Sequence, residues 1–305
     1  MKKSFCIKSF GCQMNVYDSR RIAAMLCAEG YAEAAADDAD VVIFNTCYIR
    51  EKASEKVFSE LGRLHKARLA NQPVIAVVGC VARAEGENIF RRAPYVSIVL
   101  SSQKYHLLPA LLDGAFARRG RSMDTALSGI EKFASLPGLS NSYKVEYLQI
   151  QEGCDQFCTY CCVPRTRGRE ISRPVADVLK EAENLDSLGA VELCLVGQNV
   201  NAYDGGATLA GLVEKIAALP NIRRIRYATS YPSRVTDELI ALHASEPKLM
   251  PIVSIPMQSG SDSVLRRMNR KYTRAGYVEL VGRLRTARPD VAVSSDFIVG
   301  FPGET

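Results

Sequence analysis

Cys154, Cys158 and Cys161 stand in a C-x-x-x-C-x-x-C spacing near the middle of a 305-residue chain. Three thiolates on one loop can ligate three irons of a 4Fe-4S cluster, which leaves one iron open to an amino acid-like ligand. A zinc knuckle is the competing reading. Zinc asks for a fourth ligand, and the histidines, His65, His106 and His243, all lie far away in sequence. Cys162 adjoins the triad, but adjacent residues rarely converge on one ion.

Cys12, Cys47 and Cys80 share no short motif, yet each follows an apolar run that reads as a strand. They come after Phe10-Gly11, Asn45-Thr46 and Val78-Gly79. In a parallel sheet the carboxyl ends of such strands share one edge, so three dispersed thiols would meet there. The small neighbours Gly11, Thr46 and Gly79 would let the backbone approach a bulky cluster. The alternative is three separately buried cysteines, since free cysteine packs as a small hydrophobe. Cys6, Cys27 and Cys194 fall inside strand or helix patterns and read as core.

The elements that must position these thiols alternate. Strands are predicted at Phe5 to Phe10, Val41 to Phe44, Val74 to Val78 and Ser97 to Leu100. Helices are predicted over about Tyr17 to Glu29, Ala53 to Ala70 and Ala84 to Arg91. Such alternation implies βαβ crossovers and an open parallel sheet, whose ligands bind beyond the carboxyl ends of the strands. After a helix near Leu107 to Leu112 the pattern loosens, and glycines and Pro137-Gly138 mark an irregular connection. A second series follows, with strands at Tyr147 to Gln151, Val191 to Val196, Arg224 to Thr229, Ile252 to Met257 and Val291 to Val299. A helix over Pro174 to Leu188 would turn Val175, Val178, Leu179, Ala182 and Leu185 inward. Another, over Arg274 to Ala287 and capped by Thr273, would bury Tyr277, Leu280, Val281 and Leu284. Five β/α units read as part of a β/α barrel. The expected division is an N-terminal domain over 1–100, a connecting segment over 101–146 and a barrel domain over 147–305.

Composition sets the outer bounds. A 47% apolar content suits a globular chain, and 39 basic against 33 acidic residues give a net charge of +6 that permits a nucleic-acid partner without demanding one. Lys8 interrupts the N-terminal apolar stretch and no run of about 18 apolar residues follows, so neither a signal peptide nor a membrane span is predicted. The expected compartment is the cytoplasm, where disulfides are disfavoured and ten cysteines point to metal or redox chemistry.

With these residues in place, the sequence resembles the methylthiotransferases of the radical S-adenosylmethionine (SAM) superfamily, and most closely the MiaB family of tRNA-2-methylthio-N6-dimethylallyladenosine synthases. The matching segments begin with Phe10-Gly11-Cys12-Gln13-Met14-Asn15, Asn45-Thr46-Cys47-Tyr48-Ile49-Arg50-Glu51-Lys52-Ala53 and Gly79-Cys80-Val81-Ala82. Glu152-Gly153-Cys154 through Thr166-Arg167-Gly168 follow, then Gly197-Gln198-Asn199-Val200-Asn201-Ala202-Tyr203 and Gln258-Ser259-Gly260-Ser261-Asp262. The last runs from Ser294 through Gly300-Phe301-Pro302-Gly303-Glu304.

The resemblance implies a Rossmann-like N-terminal domain, a partial radical SAM barrel and two 4Fe-4S clusters. The cluster on Cys154, Cys158 and Cys161 would cleave SAM to a 5′-deoxyadenosyl radical. The cluster on Cys12, Cys47 and Cys80 would carry the sulfur, which is methylated and inserted at C2 of N6-dimethylallyladenosine, position 37 of tRNA. An external reductant and a sulfur source are implied as partners. By the family's pattern Tyr160, Gly197, Gln198, Asn199, Gln258, Ser259, Ile298 and Gly300 would line the SAM pocket, against a reading of ordinary strand-end packing. Arg165, Arg167, Arg169 and Arg173 would suit tRNA phosphates, against a reading of a solvated charged loop.

Arg165 and Cys162 depart from the family's pattern. So does the lack of a sixth barrel strand and of a C-terminal RNA-binding TRAM domain, from which the barrel reads as truncated after its fifth strand. Related enzymes act on threonylcarbamoyladenosine in tRNA or on a ribosomal-protein aspartate, and these stay as alternative substrates. A non-catalytic, metal-bound RNA-binding protein is the alternative from another class.

Overall fold

A computed structural model describes residues 3–305 apart from 50, 68–71, 119, 128, 130 and 135. The chain divides into two compact units, Met1–Leu139 with Arg165–Gly168, and Ser140–Pro164 with Arg169–Thr305.

In the first unit six strands form one parallel sheet: Ser4–Phe10 (β1), Ala32–Glu33 (β2), Val41–Thr46 (β3), Val74–Gly79 (β4), Ile98–Leu100 (β5) and Ser122–Asp124 (β6). Their order is β2-β1-β3-β4-β5-β6. The helices are Gln13–Ala28 (α1), Glu51–Lys66 (α2), Cys80–Glu85 (α3), Glu87–Arg92 (α4), Leu108–Arg118 (α5) and Glu131–Ala134 (α6). Every residue of β3 is buried, as expected of a central strand covered on both faces. Val41 and Ile43 pack with Ile22 and Leu26 of α1 and with Leu108 and Leu112 of α5. Val42 and Phe44 point the other way, against Val57 and Leu61 of α2 and Ile89 of α4. The order reverses beside β1, with β2 on one side and β3 on the other. Such a switch point opens a crevice beyond the carboxyl ends of the strands.

Several elements differ from the sequence expectation. The first helix starts at Gln13, directly after Cys12, rather than near Tyr17. Gly86, at φ +49°, splits the third predicted helix into α3 and α4. The predicted end of the second helix at Ala70 lies outside the described residues, as does Arg50. The stretch expected to be irregular supplies β6, tied by Ser101 N to Asp124 O (3.0 Å) and Ser122 N to Ser97 O (2.8 Å). Cys27, expected in the core, is exposed, and Cys6 is half-buried. Met25 and Leu26 take the inward face of α1, and the next residue turns away.

The second unit contains Val145–Gln149 (β7), Gln151–Glu152 (β8), Ile171–Ser172 (β9), Glu192–Val196 (β10), Arg224–Tyr227 (β11), Ile252–Ser254 (β12) and Ala292–Ser294 (β13). Val163–Thr166 (α7), Val175–Ser187 (α8), Leu209–Ala217 (α9), Asp237–Ser245 (α10), Asp262–Arg267 (α11) and Arg274–Ala287 (α12) complete the α-helices among the described residues. β7, β10 and β11 pair in parallel, as do β12 and β13. Ile225 N to Lys248 O (2.8 Å) and Ser230 N to Ser254 O (3.0 Å) join β11 to the β12 segment. The five strands therefore follow one another in space in chain order, the arrangement of a partial β/α barrel. Thr208, Thr236 and Thr273 cap α9, α10 and α12 through their side-chain hydroxyls.

The last strand is shorter than its apolar run suggests. Met257 N donates to the Ser295 hydroxyl (2.9 Å) instead of a backbone carbonyl, and Gln258 sits at φ +70°. Pairing resumes only as a single bridge between Gln258 and Phe297. Among the described residues no helix is long and apolar enough to cross a membrane.

Candidate functional site

The sheet register brings the first triad together. Phe10 pairs with Thr46, and Thr46 with Gly79, so the last residues of β1, β3 and β4 are level. Cys12, Cys47 and Cys80 come one or two residues later, at the switch-point edge. Cys12 is the N-cap of α1, Cys47 follows β3 directly, and Cys80 opens α3. Gly11 and Gly79 make the approach possible. A Cβ on Gly11 would lie 2.6 Å from Cβ of Cys47, and one on Gly79 would lie 2.5 Å from O of Thr46, where the backbone is already at φ +97°.

Buried amides hold the three strand ends in place. Asn15 Nδ2 donates to Asn45 Oδ1 (2.8 Å) and Thr46 O (3.0 Å), and its Oδ1 accepts from Cys12 N (3.2 Å). Thr46 Oγ1 donates to Val78 O (2.6 Å) and accepts from Val81 N (3.3 Å). The Cys47 thiol donates to the Cys12 sulfur. That hydrogen bond, with help from the Arg167 guanidinium, draws the Cys12 thiol down to about 6 and drives Cys47 up. Arg167 Nε donates to Cys80 Sγ (3.2 Å), while its Nη1 and Nη2 each lie 3.2 Å from Asp18 Oδ2. Lys132 Nζ lies 3.6 Å from the other carboxylate oxygen, and this ion-paired group is almost fully buried.

The second triad sits on the loop between β8 and β9, an antiparallel pair that closes the base of the loop. The turn between α11 and α12 fixes its far side. Asn269 Nδ2 donates to Gln156 O (3.2 Å) and Phe157 O (3.0 Å), and Thr159 N donates to Met268 O (3.1 Å). Arg270 Nη1 lies 3.4 Å from Cys158 Sγ. The guanidinium packs 4.4 Å from the ring centre of Tyr231 and 4.9 Å from that of Tyr272. Burial pushes the Cys154 thiol up to about 11 and raises Cys161 as well, so cationic partners are needed to favour thiolates there.

The structure places Gly197, Gln198 and Asn199 just past β10. A Cβ on Gly197 would lie 2.6 Å from Gln151 Oε1, so this turn packs against β8. Gln198 Oε1 accepts from Gly153 N (2.6 Å), beside Cys154. Asn199 Nδ2 donates to Glu170 Oε2 (2.9 Å). Ile298 N donates to Gln258 O (2.9 Å), which joins the ends of the β12 and β13 segments. Ser259 is buried, while Gly300 is exposed, at φ +71°. Tyr160, 37% exposed, stands on the cysteine loop itself.

The arginine cluster does not form one surface patch. Arg167 and Arg173 are 2% and 5% exposed, the latter 2.8 Å from Glu181, so burial withdraws both from phosphate contact. Arg165 and Arg169 are exposed, Arg169 pairing with Asp155 at 3.2 Å. Sequence reasoning missed Asp18, Lys132 and Arg270, whose partners are remote in the chain. It also missed Asn15, although its place three residues past an N-cap is a capping signal.

These residues fit the implied groups. The six cysteines are free thiols, and at the first site glycines clear space against the strand ends. A cube of irons takes one thiolate per iron, so a three-cysteine set leaves one iron for another ligand. At the second site Asn199 Oδ1 is buried without a hydrogen-bond partner among the described residues, an acceptor that a ligand ammonium would satisfy.

A three-cysteine loop at the strand ends of a partial β/α barrel defines the class, a radical SAM enzyme. The Radical SAM superfamily matches residues 148–305, and "Uncharacterized protein family UPF0004" matches residues 4–101. Two solved structures share the fold. TsrM, a radical SAM methyltransferase from Kitasatospora setae with cobalamin and a [4Fe-4S] cluster bound, matches at 14% identity and a TM-score of 0.68, over 100% of this chain and 71% of that one. OxsB, a cobalamin-dependent SAM radical enzyme, matches at 13% identity and a TM-score of 0.67, over 97% of this chain and 49% of that one. The tRNA-2-methylthio-N(6)-dimethylallyladenosine synthase of Novosphingobium aromaticivorans is 53% identical over 310 residues, covering 99% of this chain and 70% of the relative. The synthase of Erythrobacter litoralis is 52% identical, with the same coverage. The chain belongs to the tRNA-2-methylthio-N(6)-dimethylallyladenosine synthase family.

Proposed function

We propose that the chain inserts a methylthio group at C2 of N6-dimethylallyladenosine in tRNA, with the work divided between its units. In this reading Cys154, Cys158 and Cys161 hold one 4Fe-4S cluster in a radical SAM domain. Cys12, Cys47 and Cys80 hold a second, auxiliary cluster in the N-terminal methylthiotransferase domain. When bound, the first group supplies one-electron cleavage of SAM, and the second supplies the sulfur that is transferred. An external one-electron reductant and a sulfur source serve as partners, and the cytoplasm provides them together with tRNA.

The chain's own residues bind, orient and screen. Gln198 pins the cysteine loop at Gly153 N, 2.6 Å away. Asn199, held through Nδ2 by Glu170, offers Oδ1 to the methionyl ammonium of SAM. Tyr160, Gln258, Ser259, Ile298 and Gly300 complete the pocket wall. At the other site Asn15 ties Cys12 to the end of β3, and Thr46 ties β3 to β4, so that the three thiolates stand at one sheet edge. Arg165 and Arg169 stay available to phosphates.

The observation that carries this reading is the level register of Phe10, Thr46 and Gly79, each one or two residues before a cysteine. The test is an iron and sulfide count on anaerobically reconstituted protein, with nucleoside analysis of tRNA after incubation with SAM and dithionite. The expected result is about eight irons per chain, two clusters of four, and the 2-methylthio product. One zinc per chain and no SAM cleavage would point instead to a metal-bound RNA-binding protein.

A further inference from the structure

Cys158 receives a contact that no spacing motif announces. Arg270 follows α11 by three residues and lies 112 positions away in sequence, yet its Nη1 is 3.4 Å from Cys158 Sγ. Its other nitrogens are fixed, with Nη2 donating to Pro256 O (2.8 Å) and Nε donating to the Tyr272 hydroxyl (2.6 Å). Tyr272 is held in turn by donating to Met257 O (2.7 Å). Tyr231, whose ring stands edge-on to Tyr272 at 5.6 Å, forms a second wall for the guanidinium, and its hydroxyl accepts from Lys271 N (2.9 Å). The fork is thus locked by packing and hydrogen bonds, with one arm left for the sulfur.

Arginine keeps its proton under all ordinary conditions. Among the described residues the Arg270 guanidinium meets the Cys158 sulfur, the Pro256 carbonyl and the Tyr272 hydroxyl, with the two tyrosine rings packed about it. The corresponding contact in the first unit differs, because Arg167 is paired with Asp18 while it donates to Cys80.

We infer that Arg270 is a positioning residue that sets the reduction potential of the cluster held by Cys154, Cys158 and Cys161. The inference rests on the proposed assignment of that cluster. The step concerned is the uptake of one electron from a low-potential one-electron donor, a reduced flavin or iron–sulfur carrier. The cluster's charge falls from 2+ to 1+, with no bond broken and no proton moved. A cation that donates to a ligand sulfur stabilises the added negative charge and so raises the potential. Two tyrosine rings pack about the half-buried guanidinium, so that interaction is screened less than a surface pair.

The test is an EPR-monitored redox titration with dithionite of the anaerobically reconstituted chain and of Arg270→Gln and Arg270→Lys, each with its iron count. Wild-type protein with no cluster on Cys154, Cys158 and Cys161 would refute the underlying assignment, whereas the variants test the inference itself. Arg270→Gln should keep its iron and become harder to reduce. The expected shift is at least tenfold in the ratio of oxidised to reduced cluster at a fixed potential, about 59 mV for one electron. Arg270→Lys keeps the charge but loses the fork, and should shift less in the same direction. The potential of the first unit's cluster should stay put. Unchanged potentials at full iron load would overturn the inference. So would loss of the cluster in both variants, since Arg270 would then hold the loop rather than tune what the loop carries.

Discussion

The two three-cysteine centres reach a similar chemical end by opposite routes. The second unit draws its thiols from eight consecutive residues, Cys154 to Cys161, on a loop closed by β8 and β9. The first unit draws its own from three strand ends separated by more than thirty residues each. Local spacing is legible in a sequence, whereas convergence at a sheet edge exists only once the sheet has formed. Yet in both centres one sulfur accepts from an arginine remote in the chain, Arg167 at Cys80 and Arg270 at Cys158. The local motif supplies ligands, and distant residues set their electrostatics. The difference lies in compensation, for Arg167 is buried against a carboxylate and Arg270 between tyrosines.

That contrast can be broken experimentally. The largest effect is expected from Asp18→Asn, which leaves the buried Arg167 and Lys132 without their carboxylate. Removing one partner of a buried pair costs about 3–5 kcal/mol. Hydrogen exchange should show the loss in the first unit alone, with the iron on Cys154, Cys158 and Cys161 retained; equal loss from both would erase the distinction. Acid should act on the other unit. Burial lowers the pKa of His243 from 6.5 to about 4, where it meets the Tyr227 hydroxyl at 2.6 Å. The folded form refuses a proton that the unfolded chain accepts, so stability present above pH 6.5 is lost as pH falls towards 4, by about 3 kcal/mol at most. Melting of His243→Gln should be flatter over this range, and an unchanged slope would remove His243 as the cause. The smallest effect is expected from Cys162→Ser. Cys161 completes the loop triad and adjacent residues rarely converge on one ion, so iron content and SAM cleavage should stay within error of the parent chain. Loss of about half the iron would show the triad misassigned.

Much of the fold could be read from period and punctuation. The apolar runs of β1, β3, β4 and β10 are found where expected, and the Thr273 cap and inward face of α12 agree residue by residue, with Val281 half-buried. The misses have physical causes. β6 is three residues long with half-buried or exposed side chains, so it has no hydrophobic signature. β13 stops early because a serine hydroxyl takes a ladder amide. Arg167 and Arg173 looked like surface charge, since their buried partners Asp18 and Glu181 follow from tertiary packing and not from spacing. Arg270 had no signal, as its position matters only after the α11–α12 turn meets the cysteine loop.

The account stands on two centres that assemble independently. The most direct measurement compares iron load, 5′-deoxyadenosine and methylthio product for Cys12, Cys47 and Cys80 replaced together by alanine. The account predicts loss of about four irons, one cluster's complement, with SAM still cleaved to 5′-deoxyadenosine and no methylthio product formed. A triple variant that kept its full iron and still made methylthio product would contradict it, and those three cysteines would then be core residues.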